Sequence, residues 1–175
     1  MSNESHLITR RRFFVIGGGA VALVFGPIGE ASASQTASEA FRYCNKCMTL
    51  FSEGKGVCPA GGFHEAQGFR FSLPLHGGAE TPTSQANWRG CTKCLSMYYA
   101  GFKRGGPCPA GGSHGGQDGD FTLPHDVPAT KSTQPDWRFC NKCFVMFYNG
   151  NPGKGRCAAG GAHFAQGFNF VLPFD

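Results

Sequence analysis

Residues 41–64, FRYCNKCMTLFSEGKGVCPAGGFH, hold the pattern that organises the whole chain. An aromatic residue and an arginine lead into Cys44, Lys46 and Cys47. An aromatic segment and a glycine-bearing loop follow, and then Cys58, Gly61, Gly62 and His64. The pattern returns twice. Trp88, Arg89, Cys91, Lys93 and Cys94 precede Cys108, Gly111, Gly112 and His114. Trp137, Arg138, Cys140, Lys142 and Cys143 precede Cys157, Gly160, Gly161 and His163. Such self-similarity marks a repeat architecture and has to be found before any fold is drawn.

All nine cysteines fall inside the repeats, three to each. An odd number per unit leaves one thiol stranded by any local disulfide. The histidine, always separated from the third cysteine by five residues, completes four donors. Zinc in structural sites takes a closed tetrahedral set of thiolate and imidazole, and two thiolates from one CxxC turn reach the same ion. Three structural Zn2+ ions are therefore expected, held by Cys44, Cys47, Cys58 and His64, by Cys91, Cys94, Cys108 and His114, and by Cys140, Cys143, Cys157 and His163. The interval from the second to the third cysteine is ten residues in the first unit and thirteen in the others. A flexible loop absorbs that difference at little cost. Disulfides, a redox-active CxxC and an iron centre remain open alternatives. Haem attachment needs histidine directly after the second cysteine, where Met48, Leu95 and Phe144 stand.

Unit size argues for metal independently. Counted from the leading aromatic to the closing proline (41–74, 88–124 and 137–173), units of 34 to 37 residues fall below the length, about 40 residues, at which a hydrophobic core usually suffices. The recurring lysine and arginine read as balance for the excess negative charge of three thiolates on one divalent ion. The paired glycines permit positive φ and form a metal knuckle.

The chain divides into an N-terminal export signal at 1–33, a linker at 34–40, repeats at 41–74, 88–124 and 137–175, and linkers at 75–87 and 125–136. Thr9, Arg10, Arg11, Arg12, Phe13 and Phe14 resemble the twin-arginine export motif. An apolar run to about Ile28 and a small-x-small site at Ala31, Ser32 and Ala33 follow. That resemblance implies a periplasmic or secreted location and export of an already folded protein, with no stable membrane anchor after cleavage. The apolar run, interrupted by Gly17, Gly18, Gly19, Gly26 and Pro27, is short for a span of about 20 residues. Its glycine cluster has no βαβ unit after it and is weak evidence for a dinucleotide fold.

From Phe41 to Pro173 the units resemble a tandem repeat of secreted microbial proteins, recognised by aromatic-Arg-x-CxxC and Cys-Pro-Ala-Gly-Gly-x-His. Ala158 stands where the other units have Pro59 and Pro109. The resemblance implies no activity.

The formal charge is +5. Without residues 1–33 the chain keeps 13 basic and 9 acidic residues, and three zinc–thiolate centres bring the total to about +1. No nucleic-acid partner is expected. The fold class is mainly β, with short antiparallel strands before the CxxC, through the aromatic segment, and around the closing Phe-x-Leu-Pro. The three units either stay separate or close with pseudo-threefold, trefoil-like symmetry, and plentiful phenylalanine favours shared burial.

Identical closed sites argue for scaffolding over catalysis, so no catalytic residue is assigned. The expected function is a non-catalytic binding module contacting glycan, envelope or extracellular protein. A hydrolase of envelope polymers using Asp118 or Asp120 is the second reading, and zinc storage or delivery the third. Glu65 reads as solvated, and His76 and His125 as linker residues or an additional metal site. The aromatics Phe51, Tyr98, Tyr99, Phe147, Tyr148, Phe69, Phe71, Phe121, Phe168 and Phe170 divide between core and surface in a way that spacing does not settle.

Overall fold

Each CxxC turn forces the chain back on itself, and this turn builds the first hairpin of every unit. Met48 N donates to Cys44 O (2.8 Å) and Cys44 N to Thr49 O (3.0 Å), with equivalent bonds at Leu95–Cys91 and Phe144–Cys140. In the first unit the hairpin joins β1 (Ser38–Cys44) to β2 (Leu50–Ser52), and β3 (Ala66–Pro74) returns on the other side of β1. The second unit repeats this with β4 (Ser84–Gly90), β5 (Met97–Tyr99) and β6 (Phe121–Pro124). The third uses β7 (Thr133–Cys140), β8 (Met146–Tyr148) and β9 (Ala165–Pro173). The computed structural model describes residues 38–75, 77–116 and 119–175. Residues 1–37, which include the expected export signal, and His76, Gln117 and Asp118 lie outside them.

The result is three antiparallel three-stranded sheets, ordered β2-β1-β3, β5-β4-β6 and β8-β7-β9. Register follows the repeat: Arg42 lies opposite Phe51, Arg89 opposite Tyr98, and Arg138 opposite Phe147. β-Bulges interrupt the outer pairing beside Arg42 and Arg138. There Gly68 and Gly167 take φ of 68° and 72°, and their carbonyls accept from Arg42 Nη2 and Arg138 Nη2.

Among the described residues no sheet closes on itself, so the trefoil-like barrel entertained from the sequence is not formed there. The units are not separate beads either. One core holds Phe41, Leu50 and Phe71 of the first unit with Trp88, Met97 and Phe121 of the second and Trp137, Met146 and Phe170 of the third. Its rings meet edge-to-face in a cycle: Phe41 on Phe121 (5.2 Å), Trp88 on Phe170 (5.1 Å) and Trp137 on Phe71 (5.1 Å). Burying one such side chain stabilises by about 1.5–3 kcal/mol, which no single unit of this size collects often enough alone.

The backbone completes a second cycle. Ser52 N donates to Leu95 O, Tyr99 N to Phe144 O, and Tyr148 N to Met48 O, at 2.8–2.9 Å. The three acceptors follow the second cysteine of each CxxC and have φ of 63–66°. Side chains pay about 1–2 kcal/mol for this left-handed conformation. Here it points each carbonyl at the neighbouring unit. Residues 38–40, 84–87 and 133–136, which read as linker ends, are already strand.

Candidate metal centres

The three sequence-predicted donor sets assemble completely. Cys44, Cys47, Cys58 and His64 form one cluster, Cys91, Cys94, Cys108 and His114 the second, and Cys140, Cys143, Cys157 and His163 the third. All twelve residues are buried, and the four donor atoms of each set lie within 4.8 Å of one another.

Distances within the sets are too long for disulfides and fit a shared metal. Cys91 Sγ and Cys108 Sγ are 4.0 Å apart, and Cys140 Sγ and Cys157 Sγ 3.9 Å. A disulfide needs about 2.05 Å. Sulfur to imidazole Nδ1 measures 3.3 Å at Cys47–His64, 3.4 Å at Cys94–His114 and 3.5 Å at Cys143–His163. Tetrahedral zinc, with Zn–S about 2.3 Å and Zn–N about 2.0 Å, sets sulfurs about 3.8 Å apart and sulfur and nitrogen about 3.5 Å apart. The sets match those edges, and none of the nine cysteines is in a disulfide. Each group can hold a metal such as zinc.

The second imidazole nitrogen explains how the histidines are aimed. His64 Nε2 lies 3.1 Å from Cys94 O, and His163 Nε2 lies 3.1 Å from Cys47 O. A carbonyl only accepts, so Nε2 carries the proton and Nδ1 keeps its lone pair for the metal. In both bonds the acceptor belongs to the CxxC turn of the neighbouring unit. Among the described residues, His114 Nε2 is buried without a partner. Ser96, whose hydroxyl lies 3.3 Å from His64 Nε2, corresponds to the apolar Val145 at that junction. Each imidazole also stacks on the aromatic of its middle strand: His64 on Phe51, His114 on Tyr98 and His163 on Phe147, at 4.6–5.1 Å.

Spacing within one unit does not show this inter-unit bond, but a recurring glycine did signal it. Gly56, Gly106 and Gly155 each stand two residues before the third cysteine. A Cβ there would lie 2.1 Å from Cys94 O, 2.6 Å from Cys143 O and 2.2 Å from Cys47 O. Only glycine lets the loop of one unit reach the turn of the next.

The paired glycines behave as the sequence suggests. Gly61 and Gly62 have φ of 102° and 64°, and the other two pairs repeat those values within about 10°. Cys58 N donates to Gly62 O and Gly61 N to Cys58 O, closing the knuckle. Read as charge balance, the lysine also ties the two halves of its site together. Lys46 Nζ donates to Gly61 O (2.8 Å), Lys93 Nζ to Gly111 O (2.6 Å) and Lys142 Nζ to Gly160 O.

Crowding of the sulfurs divides their proton affinities. A hydrogen bond from Cys47 holds the Cys44 thiol down to about 3, and the bond from Cys94 takes Cys91 to about 2. Cys47, Cys94 and Cys143 are pushed up by sharing the proton with a neighbouring sulfur and by burial. Burial lowers His163, but without a metal its imidazolium donates to the Cys140 and Cys157 sulfurs, and this outweighs burial and raises it to about 9. A divalent cation held by these residues would take the place of the contested protons.

Other residues singled out in the sequence fall elsewhere. Glu65 is exposed and pairs with Lys46 Nζ at 3.1 Å. His125 is not a polar linker residue: it is 2% exposed, with Nδ1 3.0 Å from Asp126 Oδ2. Asp120, half-buried, sits between Gly119, whose φ is 99°, and β6. Compared with protein families, curated proteins and solved structures, the chain matches none of them.

Proposed function

We propose that the chain is an exported, non-catalytic binding scaffold whose three zinc ions are structural and whose outer surface contacts envelope glycan. The observation that carries this reading is the closed, buried Cys3His set repeated three times. Four protein donors leave a tetrahedral ion no position for water, which a catalytic zinc keeps open. The histidine bonds to the next unit make the metal part of the fold's framework, and burial of every donor opposes the easy exchange that storage or delivery requires. Export rests on the twin-arginine resemblance at Thr9–Phe14, which suits a protein that takes up its metal before crossing the membrane.

The test incubates the zinc-loaded protein with insoluble envelope polysaccharide, and follows both co-sedimentation and release of new reducing ends. Binding without release is the expected result, with loss of binding after chelation. Release of reducing ends, or failure to bind any envelope fraction, refutes the reading.

A further inference from the structure

Two surface grooves occupy equivalent places at two of the three unit junctions. At the junction of the second and third units, Gln85 and Tyr99 face Phe139, Gln166 and Phe168 around a hollow of about 190 Å³. At the junction of the third and first units, Gln134 and Tyr148 face Tyr43, Gln67 and Phe69 around one of about 280 Å³. These are equivalent positions of the repeat, with Tyr43 in the place of Phe139 and Asn151, in the second groove, in the place of Phe102 in the first. Both hollows are smaller than the roughly 300–1,000 Å³ of drug-sized pockets, a scale suited to one small ring.

Each groove has one aromatic wall set out deliberately. Strand alternation puts Phe69 on the same face as the buried Phe71, and Phe168 on that of Phe170, one step beyond the rim of the core. Phe69 is 44% and Phe168 41% exposed. Each is backed by a ring from the preceding unit's closing segment: Phe174 stacks on Phe69 at 3.8 Å, and His125 on Phe168 at 3.7 Å. Asp126 holds that histidine while accepting from Asn169 N. The stack covers one face of each phenylalanine and immobilises it, leaving the opposite face to the groove.

The polar lining is amide. Gln85 Oε1 accepts from Trp88 Nε1 and Gln134 Oε1 from Trp137 Nε1, both at 3.1 Å. These bonds fix the amides with their NH2 groups at the other end. Gln166 and Gln67 stand exposed on the opposite walls. No charged residue lines either groove.

We propose that both grooves bind neutral glycan, one sugar ring in each. A pyranose presents an apolar C–H face to an aromatic ring and hydroxyls at its edge, which amides meet as both donor and acceptor. A proline-rich peptide offers chiefly carbonyl acceptors and leaves the amide oxygens unmatched. The third junction has lost the pattern in sequence, with Ser52 in the place of Tyr99 and Gly119 in the place of Phe168. Two grooves on one rigid body make the protein bivalent for a polymer, so longer chains bind more tightly than short ones. This inference rests on the binding-scaffold reading above and assigns its contact site.

The experiment titrates the 15N-labelled, zinc-loaded protein with cello-, chito-, xylo- and manno-hexaoses, and with a proline-rich decapeptide, following backbone amide shifts. At least one hexaose is expected to move Gln67, Phe69, Gln166 and Phe168. Phe69→Ala and Phe168→Ala should each weaken binding at their own groove at least tenfold, with three zinc ions retained and the rest of the spectrum unchanged. Shifts confined to other surfaces overturn the groove assignment while sparing the scaffold reading. Silence toward all four sugars, a response to the peptide alone, or binding that survives both substitutions also overturns it.

Discussion

Gly155 and Gly160 lie five residues apart in the third unit, both with positive φ, at 63° and 92°. Their surroundings differ: a Cβ on Gly155 would meet Cys47 O at 2.2 Å, whereas one on Gly160 would meet nothing within 4 Å. Gly160→Ala should therefore cost only the backbone conformation, about 1–2 kcal/mol. Gly155→Ala adds a collision with the turn that His163 holds, for a total of about 3 kcal/mol or more. Urea denaturation of the two variants measures the difference, and equal losses would mean that the inter-unit node is unimportant. The make-up of the three Cys3His clusters was legible at this scale because the spacing of candidate ligands is local and zinc tolerates few donor types. The partner of each imidazole was not, since Cys94 and Cys47 lie 30 and 116 residues from the histidines they receive. His125 was misjudged for a similar reason: its polar neighbours in sequence hide the Phe168 ring that covers it.

At the level of the strand, one small difference between units has a structural counterpart. β4 and β7 open with a bulge between Gln85 and Trp88 and between Gln134 and Trp137, spanned in each case by the indole-to-glutamine bond. β1 has Ser38 and Phe41 in those places and pairs with β3 without interruption from Ser38 to Arg42. Trp88→Phe imports the first unit's residue into the second. It removes a buried hydrogen bond and part of a ring, so a loss of about 1–3 kcal/mol is expected by chemical denaturation, with zinc content unchanged. A neutral result would detach the bulge from the indole. Three strands per unit were foreseeable from the aromatic runs and the closing Leu-Pro. Which aromatics face inward was not, because the bulge at Gly68 or Gly167 shifts the register just before the exposed Phe69 or Phe168.

Across the molecule, edge-to-face rings and turn carbonyls run from each unit to its neighbours, and histidine bonds run from the first and third units. Sharing of this kind predicts that no unit melts alone. Cys140→Ser, which damages only the third site, should lower a single melting transition seen identically by far-ultraviolet circular dichroism and tryptophan fluorescence. Two resolved transitions would instead describe beads on a string. Sequence left the choice between beads and closure open because nothing local records how three similar apolar faces meet. The structure takes neither extreme: the sheets stay open, and their side chains are pooled.

All of this depends on metal at the three clusters. The direct measurement is anomalous X-ray scattering from crystals of the protein, collected on both sides of the zinc absorption edge. Three zinc peaks are predicted, each about 2.3 Å from three sulfurs and about 2.0 Å from one Nδ1. Sulfur-to-sulfur bonds, or a zinc with water in place of one of the four donors, would contradict the account.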